Sequence, residues 1–295
     1  MEKQHHTQIC ADDFKGNGDI GRILLIPGSE MRAEQISQMF SRVTKVIVNN
    51  RSLTFYLGEV DSEYGVVEVA TGPSGMGPGS AEIVGGEALL FSEVKNYIRV
   101  GTSGTMQREI GFGDFVISNS GVRDEKASCD YAPVEFPAIA HYTTVISLMR
   151  AAIKMGYEKR TFIGPTHSKS SLWAREMLVR CPNQKENKVY KEKLFEGRIF
   201  NSEMEITVAM IQALINQPII NLQQLLANPN QEIKVGCVCC VINNFPKESK
   251  TETDGDEVFT GGPEAEAKVQ EEVCQLAIQG SVELYAILSG QKTII

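Results

Sequence analysis

VVEVATGPSGMGPGSAEIVGGEALLFSEVKNYIRVGTSG, residues 66–104, switches twice between two structural periods. Residues 66–70 form a short run rich in Val, the composition of a strand. A Gly-rich stretch, Gly72 to Gly79, breaks that run. Residues 81–93 then set small and apolar side chains on one side at helical spacing. A second apolar run at 97–100 leads into Gly101-Thr102-Ser103-Gly104. Strand, glycine loop, helix and strand within about 40 residues is the unit of a βαβ crossover, because parallel strands need a connection of that kind.

The same grammar extends in both directions. Upstream, 22–26 reads as a strand that stops at Pro27-Gly28-Ser29, and 31–40 as a helix. Downstream, 115–117 and 161–163 read as strands, the latter ending before Gly164-Pro165. Helical patterns cover 143–155 and 202–214. Residues 234–242 read as a buried strand in which Cys237, Cys239 and Cys240 act as small hydrophobes. Residues 264–288 form a long helix with a candidate break at Gly280. Interleaved strands and helices predict an α/β fold. We expect one domain over 1–295, a central mixed β-sheet flanked by helices. The polar stretches 182–193 and 246–262 read as solvated loops, with an active-site lid as the alternative.

Hydrophobic residues make up 42% and charged residues 22% of the 295, a globular balance. No apolar run approaches the ~18 residues of a membrane span, and the first thirteen residues lack the apolar region of a secretory signal. The net charge of -8 argues against a nucleic-acid platform, yet leaves room for a small anion held by local arginines. An odd count of seven cysteines fits a disulfide framework poorly. A reduced, cytoplasmic protein is expected. No zinc-type His cluster accompanies the cysteines, so no metal is implied.

In α/β sheets ligands gather beyond the carboxyl ends of the strands. Gly28-Ser29-x-x-Arg32, Gly72 to Ser80, and Arg99-Val-Gly-Thr102-Ser-Gly104 all follow predicted strands. Glycines admit an anion to backbone N–H groups, and guanidinium forks match oxyanions. The glycine loop lacks the Lys of a P-loop and does not match the dinucleotide fingerprint. Asn201-Ser202-Glu203-Met204-Glu205 opens the helix expected at 202–214. Its Ser202/Glu205 spacing reads either as a capping box or as a floor and carboxylate for a sugar diol.

Together these motifs resemble the nucleoside phosphorylase-I family, and within it the eukaryotic uridine phosphorylases. The resemblance rests on Pro27-Gly28-Ser29-x-x-Arg32, Gly75-Met76-Gly77, Arg99 to Gly104 and Glu203-Met204-Glu205, in order and in rough spacing. It implies that Gly28, Arg32, Arg99 and Thr102 bind phosphate, and that Arg51 reaches the phosphate of a neighbouring subunit. It implies that Met204 and Glu205, with Thr102, bind ribose. His6, with His5 as its rival, is expected to close the partner's ribose site, which makes a homodimer with shared sites. Arg32, Arg99 and Glu205 are the implied catalytic residues. Ser103, Gly104, Leu172, Glu176 and Leu178 fall at the base-binding positions. Phosphate and a nucleoside are the implied ligands, with no cofactor.

The base segment departs from the family pattern. In an ungapped reading Leu172 replaces an aromatic residue, and Glu176 and Leu178 replace a Gln and an Arg that read uracil. Arg175 or Arg180 would substitute only in a shifted register. Asn243-Asn244 stands where a further Arg or a purine-protonating Asp is expected. The expected function is phosphorolysis of a pyrimidine nucleoside, with uridine turnover weak or lost. The alternatives are a phosphorylase of altered specificity and a non-catalytic paralogue that binds a nucleoside or base.

Overall fold

The structure is a computed structural model that describes residues 2–244 and 261–293. The order of elements is β1 (Ile23–Pro27), α1 (Glu30–Gln38), β2 (Arg42–Ile47), β3 (Phe55–Ser62), β4 (Gly65–Thr71), α2 (Pro78–Leu89) and β5 (Asn96–Thr105). There follow β6 (Phe115–Asp124), α3 (Lys126–Tyr131), β7 (Ala138–Ile139), α4 (Tyr142–Lys154), β8 (Thr161–Lys169), α5 (Gln184–Glu196) and β9 (Asn201–Glu203). The chain closes with α6 (Ile206–Ile215), α7 (Leu222–Ala227), β10 (Lys234–Val241) and α8 (Gly262–Leu288).

Among the described residues ten strands join one mixed sheet, ordered β10-β6-β8-β9-β5-β1-β4-β3-β2, with β7 on β6. β10 also pairs with β5, so β10, β6, β8, β9 and β5 close on themselves and the remaining strands extend as an open sheet. β1 runs parallel to β4 and β5, while β3 is antiparallel to β2 and β4. The expected α/β class with a mixed sheet is what the structure has.

Both faces of the central strands are covered, which is why they read as unbroken apolar runs rather than as alternations. Leu24 and Ile26 of β1 pack with Val84, Ala88, Ile206 and Met210 of α2 and α6. Ile23 and Leu25 pack on the opposite face with Leu148, Val273 and Leu276 of α4 and α8. β10 alternates in the same way: Cys237 and Cys239 enter the first cluster, and Val238 and Cys240 the second. All three thiols are fully buried, as expected of small hydrophobes.

Four local expectations are corrected. Gly280 does not break α8, which is continuous over Gly262–Leu288. A Cβ there would lie 2.6 Å from Leu148 Cδ2, so this glycine lets α8 close onto α4. Residues 101–104 are not a loop but the second half of β5, held by pairing of Gly101 to Ser103 with Cys239 to Val241. Residues 202 and 203 are not helical: they belong to β9, and α6 begins only at Ile206 with Glu205 as its N-cap. The polar stretch 182–193 is mostly the helix α5. The second loop expectation, 246–262, falls almost wholly outside the described residues.

Candidate active site

β1, β4 and β5 end on the same side of the sheet, and their following segments converge there. β1 delivers Gly28 directly into α1, whose N-cap Ser29 accepts the Arg32 N–H at 3.3 Å. β4 delivers the glycine loop, in which Gly77 has φ 82° and initiates α2. Only a residue without a Cβ takes that conformation without strain. β5 delivers Arg99, which is 4% exposed. Its guanidinium nitrogens lie 3.6 and 3.8 Å from where a Gly28 Cβ would stand.

Arg99 is the hub. Its Nη2 donates to Glu205 Oε2 in a short contact, its Nε to Glu203 Oε2 at 3.4 Å and its Nη1 to Ser74 Oγ at 3.5 Å. Burial works against a charged guanidinium here, but the carboxylates of Glu205 and Glu203 hold it firmly protonated. Glu203 is pulled below the usual carboxylate range despite its burial, by Arg99 and by hydrogen bonding from Ser168. Glu205 is pushed up by burial and by the nearby charge of Glu203. Its other oxygen accepts the Gly77 N–H at 2.8 Å. Met204 Cε lies 3.7 Å from the position a Gly77 Cβ would take. The structure thus brings Gly28, Arg99, Met204 and Glu205 together around the glycine loop. It also shows why Ser202 and Glu205 are not a capping box: Ser202 engages His167 and Lys169, and Glu205 engages Arg99.

The other expected phosphate residues take different positions. Arg32 is half-buried and donates from Nη2 to Gln270 Oε1 of α8 at 2.8 Å. Its Nε is buried with no hydrogen-bond partner among the described residues. A buried donor without an acceptor is costly, and an anion would satisfy it. Thr102 is half-buried on β5, opposite Cys240. Arg51 is exposed in the turn after β2, its backbone N–H bonded to Asn49 Oδ1 at 3.0 Å. His6 is tied to Glu87 through its backbone N–H at 2.9 Å and its ring Nδ1 at 2.7 Å. Glu87 lies nine residues past Pro78, about 13 Å along α2 at 1.5 Å per residue. His6 therefore stands well away from the glycine loop of its own chain, and His5 packs edge-on against its ring.

At the base end, Ser103 turns inward. Its hydroxyl accepts from Asn201 Nδ2 at 3.0 Å and is 3% exposed. Leu172 to Glu176 form one π-helical turn whose Leu172 and Trp173 are exposed. Leu178 has φ 51°, and its carbonyl accepts from Gln184 Nε2 at 2.6 Å. Glu176 comes in: its Oε1 lies 2.8 Å from the Cβ position of Gly104. The sequence reading missed the partners of Glu176. Lys169 Nζ is 3.1 Å and Lys191 Nζ 3.6 Å from its carboxylate. Arg175 points elsewhere, to Asp124 at 2.6 Å and Asn187 at 2.9 Å.

Burial opposes ionisation of Glu176, but Lys169 and Lys191, with hydrogen bonds from Ser202 and Lys169, bring its pKa down to about 2. A carboxyl depressed from 4.5 to about 2 adds stability that is complete above pH 4.5 and is lost as pH falls towards 2. At 1.36 kcal/mol per pKa unit this amounts to about 3 kcal/mol. Glu176→Gln removes the titration and should lie below wild type at neutral pH. Denaturant midpoints measured from pH 6 to 2 should therefore converge for the two proteins at the acid end. Parallel curves would show that Glu176 is not the group responsible.

The converging segments lie inside a span that matches a known family. A family model described as "Phosphorylase superfamily" matches residues 22–216. The chain is 41% identical over 134 residues to a uridine phosphorylase of Treponema pallidum (strain Nichols), covering 45% of this chain and half of that one. It is 27% identical over 239 residues to a uridine phosphorylase of Escherichia coli (strain K12), covering 81% of this chain and 85% of that one. In fold it is similar to the crystal structure of a uridine phosphorylase from Vibrio fischeri ES114, complexed with 6-hydroxy-1-naphthoic acid. The TM-score is 0.69 at 16% identity, over 94% of this chain and 96% of that one. No helix among the described residues is long and apolar enough to cross a membrane. Because Gly28, Arg32, Arg99, the glycine loop and the 203–205 turn all fall within the matched span, the chain belongs to the phosphorylase superfamily.

Proposed function

We propose that the chain catalyses phosphorolysis of a nucleoside of the uridine type, releasing the free base and ribose 1-phosphate. The observation that carries this reading is the Arg99 hub. One guanidinium faces the Gly28 turn on one side and Glu205 on the other. It is placed to hold a phosphate beside a sugar whose hydroxyls Glu205 accepts. Arg32, whose buried Nε has no partner among the described residues, supplies a second donor to the same anion. Phosphate oxygen attacks C1′ as the bond from C1′ to the base nitrogen breaks, and the bonding electrons leave with the base. The arginines fix the nucleophile, a contribution of proximity and orientation. In this reading Arg51, which is exposed, and His6, which is held by Glu87 far along α2, act across a homodimer interface.

The test is a steady-state assay with uridine at varied phosphate. Base release should require phosphate and should yield ribose 1-phosphate in equal amount. Base release that continues undiminished in phosphate-free buffer would mean hydrolysis, and would overturn the reading. Bound phosphate should also raise the melting temperature, because a ligand selective for the native state stabilises it by mass action.

A further inference from the structure

The base end of the site contains a buried ion pair that the reaction as written above leaves without a role. Lys169 closes β8 and is 2% exposed. Its ammonium donates to Ser202 Oγ at 2.7 Å and to the Glu203 carbonyl at 3.4 Å, and pairs with Glu176 at 3.1 Å. Ser202 and Glu203 lead straight into Met204 and Glu205, so this cation adjoins the proposed sugar site. Glu176 Oε1 and Asn243 Nδ2 stand 2.8 and 3.3 Å from the Cβ position of Gly104, two residues along β5 from Thr102. An acceptor and a donor thus meet over a strand residue that has no side chain, with the Lys169 ammonium on the other oxygen of the acceptor. The Asn243 carbonyl is already committed to the Thr105 N–H at 2.8 Å, which leaves its NH₂ facing Gly104.

Burying an ion pair is a poor way to stabilise a fold, since apolar residues of the same size do as well or better. The surroundings nonetheless hold this one in place. His167 Nδ1 lies 3.0 Å from Ser202 Oγ and its Nε2 2.9 Å from Asp124 Oδ2, so the acceptor of Lys169 is itself anchored. Lys191 adds a second cation at 3.6 Å, so two lysines face one carboxylate and the local charge is positive.

We propose that Lys169 and Glu176 are the base-reading residues of this chain, selecting a base with a lactam edge, an N–H beside a C=O. The proposal rests on the phosphorolysis reading. Glu176, an acceptor only, takes the base N–H. Lys169 turns one N–H, the one that reaches the Glu203 carbonyl at 3.4 Å, to the adjoining base carbonyl, with Asn243 as a further donor. When the bond to C1′ breaks, its electron pair passes to the base and spreads onto that carbonyl, opposite the ammonium. Solvent then supplies the proton that completes the free base. Adenine and cytosine present a ring nitrogen lone pair where the lactam has its N–H. That lone pair would face the Glu176 carboxylate, and the base is rejected. A site built around such hydrogen bonds discriminates by roughly 10⁴ or more.

The experiment compares uridine, inosine, cytidine and adenosine with the full chain at saturating phosphate, by turnover and by calorimetry. Uridine and inosine separate the two sources of a lactam edge, oxopyrimidine and oxopurine. At least one of them should be preferred over cytidine and adenosine by about 10⁴ in kcat/KM. Lys169→Met should lower kcat about 100- to 1000-fold, the usual loss of one donor to developing charge. Its phosphate affinity should be unchanged, and Lys169→Arg should recover at least about tenfold of the loss. With 5-fluorouridine, whose base is the better leaving group, the penalty of Lys169→Met should shrink. A merely structural lysine would not show that dependence. Cytidine or adenosine turned over as well as the lactam nucleosides overturns the proposal while leaving phosphorolysis standing, and that arm needs no variant. Undiminished kcat in Lys169→Met does the same. Phosphate bound with no nucleoside bound at all overturns the proposed function, and this proposal with it.

Discussion

Replacing Arg99 by alanine is expected to abolish useful phosphate binding and to lower kcat/KM by at least about 10³, since one preorganised donor alone is worth 10²–10³. Arg99 supplies more than one. Its guanidinium serves the Gly28 turn, Ser74, Glu203 and Glu205 at once. The same change strips the counter-charge from two buried carboxylates. Glu203 would lose the first of the influences that hold its pKa down, and would rise. Breaking a buried pair by removing one partner typically costs 3–5 kcal/mol, so the variant should also melt earlier. Arg99→Lys separates the two effects. It restores a positive charge for Glu203 and Glu205 but not the planar fork that grips an oxyanion. We expect it to regain most of the stability and little of the activity. Calorimetric titration with phosphate and denaturant midpoints measure the two terms independently. An Arg99→Ala protein that binds phosphate within about threefold of wild type would remove Arg99 from the anion site.

How far the site could be read from the chain depended on how each residue is buried. Gly28 was legible because it follows an apolar run, Arg99 because it is a charge inside one, and the 203–205 turn because it precedes one; glycine or charge at such a place stands out. The central strands were legible for the same reason: both their faces are covered. β2 escaped notice because five of its six residues are exposed, which leaves no apolar period to detect. β9 escaped because Asn201, Ser202 and Glu203 are polar yet buried, satisfied by Ser103, Lys169 and Arg99. A sequence pattern sees polarity and reads a helix cap; only the tertiary partners make it a strand. α5 reads as a loop because it is charged, although Lys, Glu and Gln are good helix formers.

Lys169 is the most instructive omission. In the run Thr166-His167-Ser168-Lys169-Ser170 nothing marks one polar residue over another. Its burial comes from the pairing of β8 with β9, His167 to Ser202 and Ser168 to Glu203, a contact between segments more than thirty residues apart. Taken by itself, an ionised Glu176 would repel the negative charge that builds on a departing base. Beside Lys169 and Lys191 the same carboxylate sits in a positive environment, and the objection loses its force.

The largest effect across chains is expected from mixing two inactive variants. Arg51 is exposed at the turn after β2, and the outward positions of β2 and its flank include Val43, Val46 and Val48, all solvent-exposed. An edge strand that shows apolar side chains and carries no second neighbour is a surface suited to a partner copy. If Arg51 completes the phosphate site of the other subunit, Arg51→Ala should be nearly inactive, although it leaves Arg99 and Glu205 of its own chain untouched. Glu205→Gln should be nearly inactive for the opposite reason, having lost the sugar acceptor of its own chain. In a heterodimer of the two, one site combines an intact Glu205 with an intact Arg51, while the other carries both defects. Random reassociation of equal amounts makes half the dimers mixed, each with one good site of two. Activity should therefore return to about a quarter of wild type if the sites are shared across a two-fold dimer. Recovery should follow the time course of subunit exchange and fail if the dimers are mixed without dissociation. Two variants that stay inactive after verified exchange would show that each site is built from one chain. An Arg51→Ala protein with full activity would show that this arginine serves no site.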